Sequence, residues 1–411
     1  MKNILFLTGR YLPRPSPNGI CVQNVIEAMS PDEYDVTCIC YDDKQSADTK
    51  HVDVHKISRG LIQTLIYRTE GRQTGCCKLL RKILLILKKI KDVPFLLTWP
   101  WSDPIFTRKA YRKALRLHKV KKFDVIVAVH LPFSALIVGH KMKKKYPEIK
   151  YVPYLLDTLS GGMPFNTKLV PKKWMFKKKL KWECKLFANA DTVVAMESSR
   201  KHHEQYNSEN HFYDKITFLG IPLLKKSEVE TACDVIGKTN MMFCGTAHYP
   251  MRNVPYFMSV LNVIKNDDIA FTLIGDCNCT QLFGNMKKDS VKVKHLPRVS
   301  HAEMERFYQR ADILVNLGNK EAAVIPSKIF EYMSYGKPII STYAIDNDAC
   351  IPYLEKYPLS LLLDERETDL EEQAKRLESF IISTNDKHVD FEEIQSAFKH
   401  NRPETFVEEI L

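Results

Sequence analysis

With 411 residues, 45% of them hydrophobic and 10% aromatic, the chain can bury substantial cores; intrinsic disorder is excluded and two domains are expected. A formal charge of +12 suits nucleic acid, an anionic membrane or a polyanionic substrate, and does not choose among them. The eleven cysteines show no CxxC pair and no Cys/His spacing typical of zinc, so reduced, mostly buried thiols of a cytosolic protein are expected, with no metal site.

The opening MKNILFLTGRYLP holds too short an apolar run for a signal peptide, and its ILFL predicts a buried first strand over Lys2–Thr8. A Pro-rich loop follows, then a helix through Val22–Met29; strand, loop with Asn18-Gly19, and helix make the opening unit of a Rossmann-like domain without GxGxxG. Tyr34–Cys40 and Val52–His55 predict further strands. Lys78–Lys91 interleaves leucines and isoleucines with six lysines and arginines, and PFLLTWPWSDPIF follows. Two readings stay open there: a basic amphipathic helix at the interface of an anionic bilayer, or a helix packed on its domain with a solvated basic edge. Nowhere do about 18 uncharged apolar residues run together, so no spanning helix is expected.

Asp124–Val129 (DVIVAV) predicts a buried strand ending at His130, and Tyr151–Leu156 another ending at Asp157. A polar residue just past the carboxyl end of a parallel strand points into a ligand crevice. Lys168–Lys185 is again basic; Thr192–Met196 and Ile216–Leu219 predict the closing strands, and the polar Lys225–Lys238 a linker. The second half starts with Met241–Cys244, a strand running into Gly245-Thr246, with Arg252 at the next helix start. Phe271–Ile274, Val291–His295 and Leu314–Leu317 predict strands, and Ser300 with Glu303 a capping box. Asp364–Arg376 predicts a surface helix, and 391–411 predict terminal helices.

The most informative stretch is Pro326–Ile340, PSKIFEYMSYGKPII. Pro326 suits a first helical turn, while Gly336 and Pro338 mark where the helix stops. Ile329, Phe330 and Met333 share one face; Ser327, Lys328, Glu331 and Tyr335 lie near one another on another. Unpaired amides at a helix start bind phosphate, and a glutamate one turn in can accept hydrogen bonds from a ribose diol. Lys328 and Glu331 also fit a solvated i,i+3 ion pair.

This stretch closely resembles the donor-site helix of the retaining GT-B glycosyltransferases, especially the GT4-like (group 1) enzymes of surface-polysaccharide assembly. The resemblance implies an α/β chain of GT-B architecture, two Rossmann-like domains facing a central cleft: an acceptor domain over 1–222, a linker over 223–240, a donor domain over 241–385, and terminal helices over 386–411, the last packing back on the first domain. Family members place two glutamates with seven residues between them. Glu331 matches the second, which holds the ribose; the first would fall at Ala323, and Glu321 is the nearest carboxylate. Asn18-Gly19 resembles the glycine pair that faces the donor phosphates, Arg252 the basic residue that grips the diphosphate, and His130 a histidine that faces the sugar. Asp157 joins His130 on the acceptor side, and Gly245, Thr246, Pro326, Ser327, Lys328 and Ile329 complete the expected donor contacts.

The implied activity is metal-independent sugar transfer, with retention, from a nucleotide diphosphate sugar (UDP by default, GDP next) to a glycan or lipid-diphosphate-linked acceptor, without a cofactor. A cytoplasmic location follows, peripheral on the inner face of the cytoplasmic membrane. A catalytically weak relative that binds a nucleotide or partner is the alternative, supported by the missing glutamate at 323. A nucleic-acid binder is favoured only by charge and lacks any reader motif, so no nucleic-acid partner is expected.

Overall fold

The computed structural model describes the chain except residues 14, 44–50, 70–74, 98, 101–102, 162–170, 209–211, 228–238, 288, 300 and 321–326, and the side chains of 95–97 and 301–302. Two compact units emerge: Met1–Pro222 together with Pro403–Leu411, and Leu223–Arg402.

In the first unit, seven strands form a parallel sheet: β1 (Lys2–Leu7), β2 (Tyr34–Tyr41), β3 (Val52–Ile57), β4 (Val125–His130), β5 (Lys150–Leu155), β6 (Val193–Met196) and β7 (Ile216–Leu219), in the order β3-β2-β1-β4-β5-β6-β7. Continuous apolar runs such as ILFL and VIVAV are what a parallel strand needs, because helices cover both faces. Ile4–Leu7 and Val125–Val129 are accordingly buried throughout. Alternation splits these runs between two cores, with Leu5, Leu7, Ile126 and Ala128 on one face and Ile4, Phe6, Val125 and Val127 on the other. The second core is completed by Phe406 and Ile410 from the closing helix Pro403–Ile410, Phe406 lying 4.8 Å from Tyr154 ring to ring.

The second unit holds six parallel strands: β8 (Thr239–Cys244), β9 (Ile269–Ile274), β10 (Lys292–Leu296), β11 (Ile313–Leu317), β12 (Ile339–Tyr343) and β13 (Ser360–Asp364), in the order β10-β9-β8-β11-β12-β13. Both sheets reverse direction of strand order once, between β1 and β4 and between β8 and β11. In open α/β sheets the crevice outside the carboxyl ends at such a point is where ligands bind. Residues just after β1, β4, β8 and β11 are therefore the ones the fold singles out.

Two elements differ from the sequence expectation. The first helix spans Pro17–Glu27, so Asn18 and Gly19 sit in its first turn instead of a loop, with the Ser16 hydroxyl accepting from the Gly19 amide at 3.2 Å. β13 is a strand that the sequence reading did not name, and the surface helix expected over Asp364–Arg376 spans Leu370–Thr384 instead. Among the described residues no helix is long and apolar enough to cross a membrane.

Candidate active site

At the switch point of the second unit, β8 ends at Cys244 and the chain turns through Gly245 at φ +149, a conformation that L side chains rarely adopt. A Cβ built at Gly245 would lie 3.6 Å from Lys328 Cε, so the lysine stem passes close over this turn. Lys328 Nζ donates to the Tyr308 hydroxyl at 2.7 Å and stands 3.5 Å from Glu331 Oε2. Tyr308 in turn donates to the same carboxylate oxygen at 3.4 Å. An ammonium, a phenol and a carboxylate thus converge beside Gly245. Tyr308 is buried on the helix His301–Arg310, and burial holds its pKa well above the ordinary value, so it acts as a neutral donor. The Cys244 thiol beside it is pushed up to about 12, chiefly by burial, and brings no charge to the cluster. Lys328 and Glu331 keep part of their side chains open to solvent, which leaves both able to meet a ligand.

β8 and β11 pair only through Ile313↔Met241 and Leu314↔Met242. Beyond that short ladder the gap is spanned by Arg252, whose guanidinium donates to the Leu317 carbonyl at the end of β11 and lies 5.7 Å from the Phe243 ring centre. Burial lowers the Arg252 pKa, opposed by nearby Tyr332, Cys350 and Asp348. Asp348 is itself buried, with Oδ1 accepting from the Cys350 amide at 2.8 Å, and burial raises its pKa. Arg252 therefore carries a positive charge to the switch point on a fixed support.

The helix bearing Glu331 is regular over Lys328–Met333 only, with Ser327 at its N-cap position and no side-chain capping bond there. Pro326 and Glu321 lie outside the described residues. The Lys328 ammonium adds a positive charge beside this short helix's start. Ile329 is fully buried, so its side chain is closed to any ligand, and Thr246 is exposed on the turn after Gly245.

At the switch point of the first unit, Asn18 Nδ2 donates to the His130 carbonyl at 2.7 Å, tying the first helix to the end of β4. Gly19 has a packing reason to be glycine: a Cβ there would fall 2.1 Å from the Arg10 carbonyl oxygen. The His130 ring is buried, and burial lowers its pKa to about 4 despite a hydrogen bond with the Asp157 main chain. The imidazole is neutral at pH 7, with no partner at Nδ1 among the described residues. Asp157 reaches solvent, yet the atoms packed around its carboxyl raise its pKa.

The structure thus brings Gly245, Arg252, Lys328 and Glu331 together in one unit, and Asn18, Gly19, His130 and Asp157 in the other. Sequence reasoning missed Tyr308, which in ERFYQRAD reads as one more core aromatic, and Asp348. Among the described residues Glu183, His202 and His203 alone bring potential metal-ligating atoms within 4.8 Å of one another. Part of this cluster serves the fold: Glu183 Oε2 accepts from the Ser160 amide and hydroxyl at 3.0 and 2.8 Å, His202 Nε2 lies 2.7 Å from that hydroxyl, and His203 Nδ1 lies 2.8 Å from Asn207 Oδ1, whereas the buried Glu183 Oε1 and His203 Nε2 have no hydrogen-bond partner among the described residues.

Residues 238–377 match the family described as Glycosyl transferases group 1. No protein of curated function matches the chain by sequence. Among solved structures, HepE of Anabaena in complex with UDP and glucose is similar at 14% identity and TM-score 0.56, covering 100% of this chain and 95% of that one. The lipopolysaccharide outer core galactosyltransferase WaaB is similar at 14% identity and TM-score 0.54, covering 97% and 95%. The trehalose 6-phosphate synthase of Burkholderia multivorans is similar at 12% identity and TM-score 0.61, covering 99% and 96%. These likenesses run the length of the chain and concern its fold.

Proposed function

We propose that this chain, a GT-B glycosyltransferase carrying a group 1 domain over residues 238–377, takes its sugar from a UDP-sugar and passes it to a glycan or lipid-diphosphate-linked acceptor. The observation that carries the reading is the convergence of Lys328, Glu331 and Tyr308 on the Gly245 turn, at the switch point where an α/β sheet receives its ligand. Glu331 accepts hydrogen bonds from the ribose hydroxyls. The Gly245 turn and the Ser327 and Lys328 amides approach the diphosphate, where a side chain at 245 would intrude.

Breaking the bond between the anomeric carbon and the diphosphate leaves one further negative charge growing on the terminal phosphate of the departing UDP. Arg252 and Lys328 stabilise that charge in a protected site, in place of a metal ion. On the first unit His130, held neutral by burial, offers a hydrogen bond to the sugar or the incoming hydroxyl, and Asp157 contacts the acceptor. The acceptor hydroxyl attacks from the face the diphosphate leaves and passes its proton to the freed phosphate oxygen, which retains the anomeric configuration. We place the reaction in the cytoplasm, at the inner face of the cytoplasmic membrane. HepE, crystallised with UDP and glucose, is the relative that favours UDP among the bases.

The test is thermal stabilisation by UDP, GDP, ADP and their sugars. A concentration-dependent rise with UDP alone supports the reading, because a ligand that binds only the native state adds stability. A rise with GDP or ADP and not UDP reassigns the base, and no rise at millimolar concentrations of any of them removes the donor site.

A further inference from the structure

The helix Gly75–Leu97 is a feature of the first unit that its sheet and candidate site leave unexplained. It packs on the neighbouring helix Leu61–Thr69, and the side it turns inward is marked by Leu84, only 5% exposed. Its other aliphatic residues whose side chains are described face water: Leu79 is 61% exposed, Ile86 57% and Ile90 63%, with Leu80, Ile83, Leu87 and Val93 above 40% and Leu85 at 39%.

Their positions form a pattern. At about 100° per residue, Ile86, Leu79, Ile90, Ile83, Leu87 and Leu80 follow one another across an arc of roughly 120°. Lys82, Lys89 and Lys78 come next on one edge of that arc, and Lys91 on the other. In an ordinary surface helix of a globular protein the apolar stripe faces the core and the charges face water. Here the stripe faces away from the protein, bordered on both sides by cations whose long stems can lift their heads above an apolar layer. Contiguous exposed apolar surface of this kind marks an interaction site.

We propose that this helix is a docking device for an anionic phospholipid bilayer, lying in the plane of the interface with its aliphatic arc among the acyl chains and its flanking lysines at acidic headgroups. The inference rests on the placement at a membrane made above and names the element and the lipid chemistry responsible. The occupant follows from the chemistry of the patch. A second protein copy would bring identical lysines to both borders of an isologous contact, where they repel, whereas acidic headgroups neutralise them. At about 1.5 Å per residue the helix offers roughly 35 Å of contact length, and an apolar face of this kind sinks about 5–10 Å into the headgroup and acyl boundary. Trp99 does not take part: its ring packs 4.6 Å from Phe133 inside the unit.

Co-sedimentation of the full chain with phosphatidylglycerol-containing and pure phosphatidylcholine vesicles tests this. Wild-type protein should partition onto the anionic vesicles and much more weakly onto the neutral ones. L79S/I83S/I86S/I90S should abolish partition onto both. K78Q/K82Q/K89Q/K91Q should lose the preference for anionic lipid, by about fivefold in partition per lysine. All eight positions are off the core, so both variants should keep the wild-type melting temperature and the wild-type response to UDP, which separates failure of docking from failure of the donor site. The proposal is overturned if wild-type protein stays in the supernatant with anionic vesicles, or if the serine variant sediments as well as wild type. It is equally overturned if, without lipid, light scattering shows a dimer that the serine variant dissolves, which would assign the arc to a second copy.

Discussion

Replacing Glu331 by glutamine isolates the step from structure to ligand, because the side chain's shape is kept while one carboxylate oxygen and the charge are removed. Among the described residues the carboxylate makes only long contacts, 3.4 Å to Tyr308 and 3.5 Å to Lys328, with about a fifth of the side chain exposed. Ion pairs of that kind contribute less than about 1 kcal/mol, so the unliganded variant should melt close to wild type. Toward a ribose diol the same group accepts charge-assisted hydrogen bonds of about 1.5–3 kcal/mol each. Losing one of them weakens binding roughly 10- to 100-fold. At a UDP concentration of about 100 times the wild-type Kd, ligand adds about 2.7 kcal/mol to wild type and only about 0.4–1.4 kcal/mol to the variant. For a unit of this size each kcal/mol moves the midpoint by about 2–4 °C, so the UDP-induced shift should drop from about 8 °C to about 3 °C. Differential scanning fluorimetry across a UDP titration measures it. An unchanged UDP shift in E331Q would refute the assignment of Glu331 to the ribose.

The depressed pKa of His130 sets a pH dependence. Its folded value of about 4 lies below the ordinary 6.5, so the stabilisation is complete above pH 6.5 and is lost as pH falls toward 4, the loss amounting to about 2 kcal/mol by pH 5. Urea unfolding at pH 7.5 and pH 5 should therefore show a smaller difference in H130Q than in wild type; equal differences would sink the argument. G19A should destabilise the protein by about 1–3 kcal/mol, since its methyl meets the Arg10 carbonyl, and urea midpoints would reveal this. If Arg252 and Lys328 supply the positive charge as proposed, UDP-sugar turnover survives EDTA and K328M lowers kcat about 100-fold; loss of turnover in EDTA, restored by a divalent cation, would reverse that reading.

The sheets were legible because buried parallel strands are short runs of apolar residues, and ILFL or DVIVAV admit few other structures. SLLLD in β13 escaped because a brief leucine run at a sheet edge reads equally well as the end of a helix. Asn18-Gly19 was expected in a loop because the Ser16 cap is one hydroxyl among many turn-forming residues. At the candidate site, Lys328 and Glu331 were legible because they lie three residues apart on one helix. The Tyr308 phenol that joins them, and the Leu317 carbonyl that receives Arg252, come from elements distant in sequence and close only through the strand order. The facing of the Gly75–Leu97 helix was undecided in sequence because its amphipathic pattern is the same whether the apolar arc points inward or outward.

The first unit takes its last helix from the far end of the chain, with Phe406 and Ile410 in its core and the Leu411 carbonyl accepting from Lys2 Nζ at 2.6 Å. Its sheet is thus complete in sequence by Leu219, yet its core is not closed until some 180 further residues have been made. During synthesis the second unit, an uninterrupted segment, has all its residues in hand first. A chain made as far as Arg402 contains every residue of the second unit, while the first unit still lacks Phe406 and Ile410 from its core.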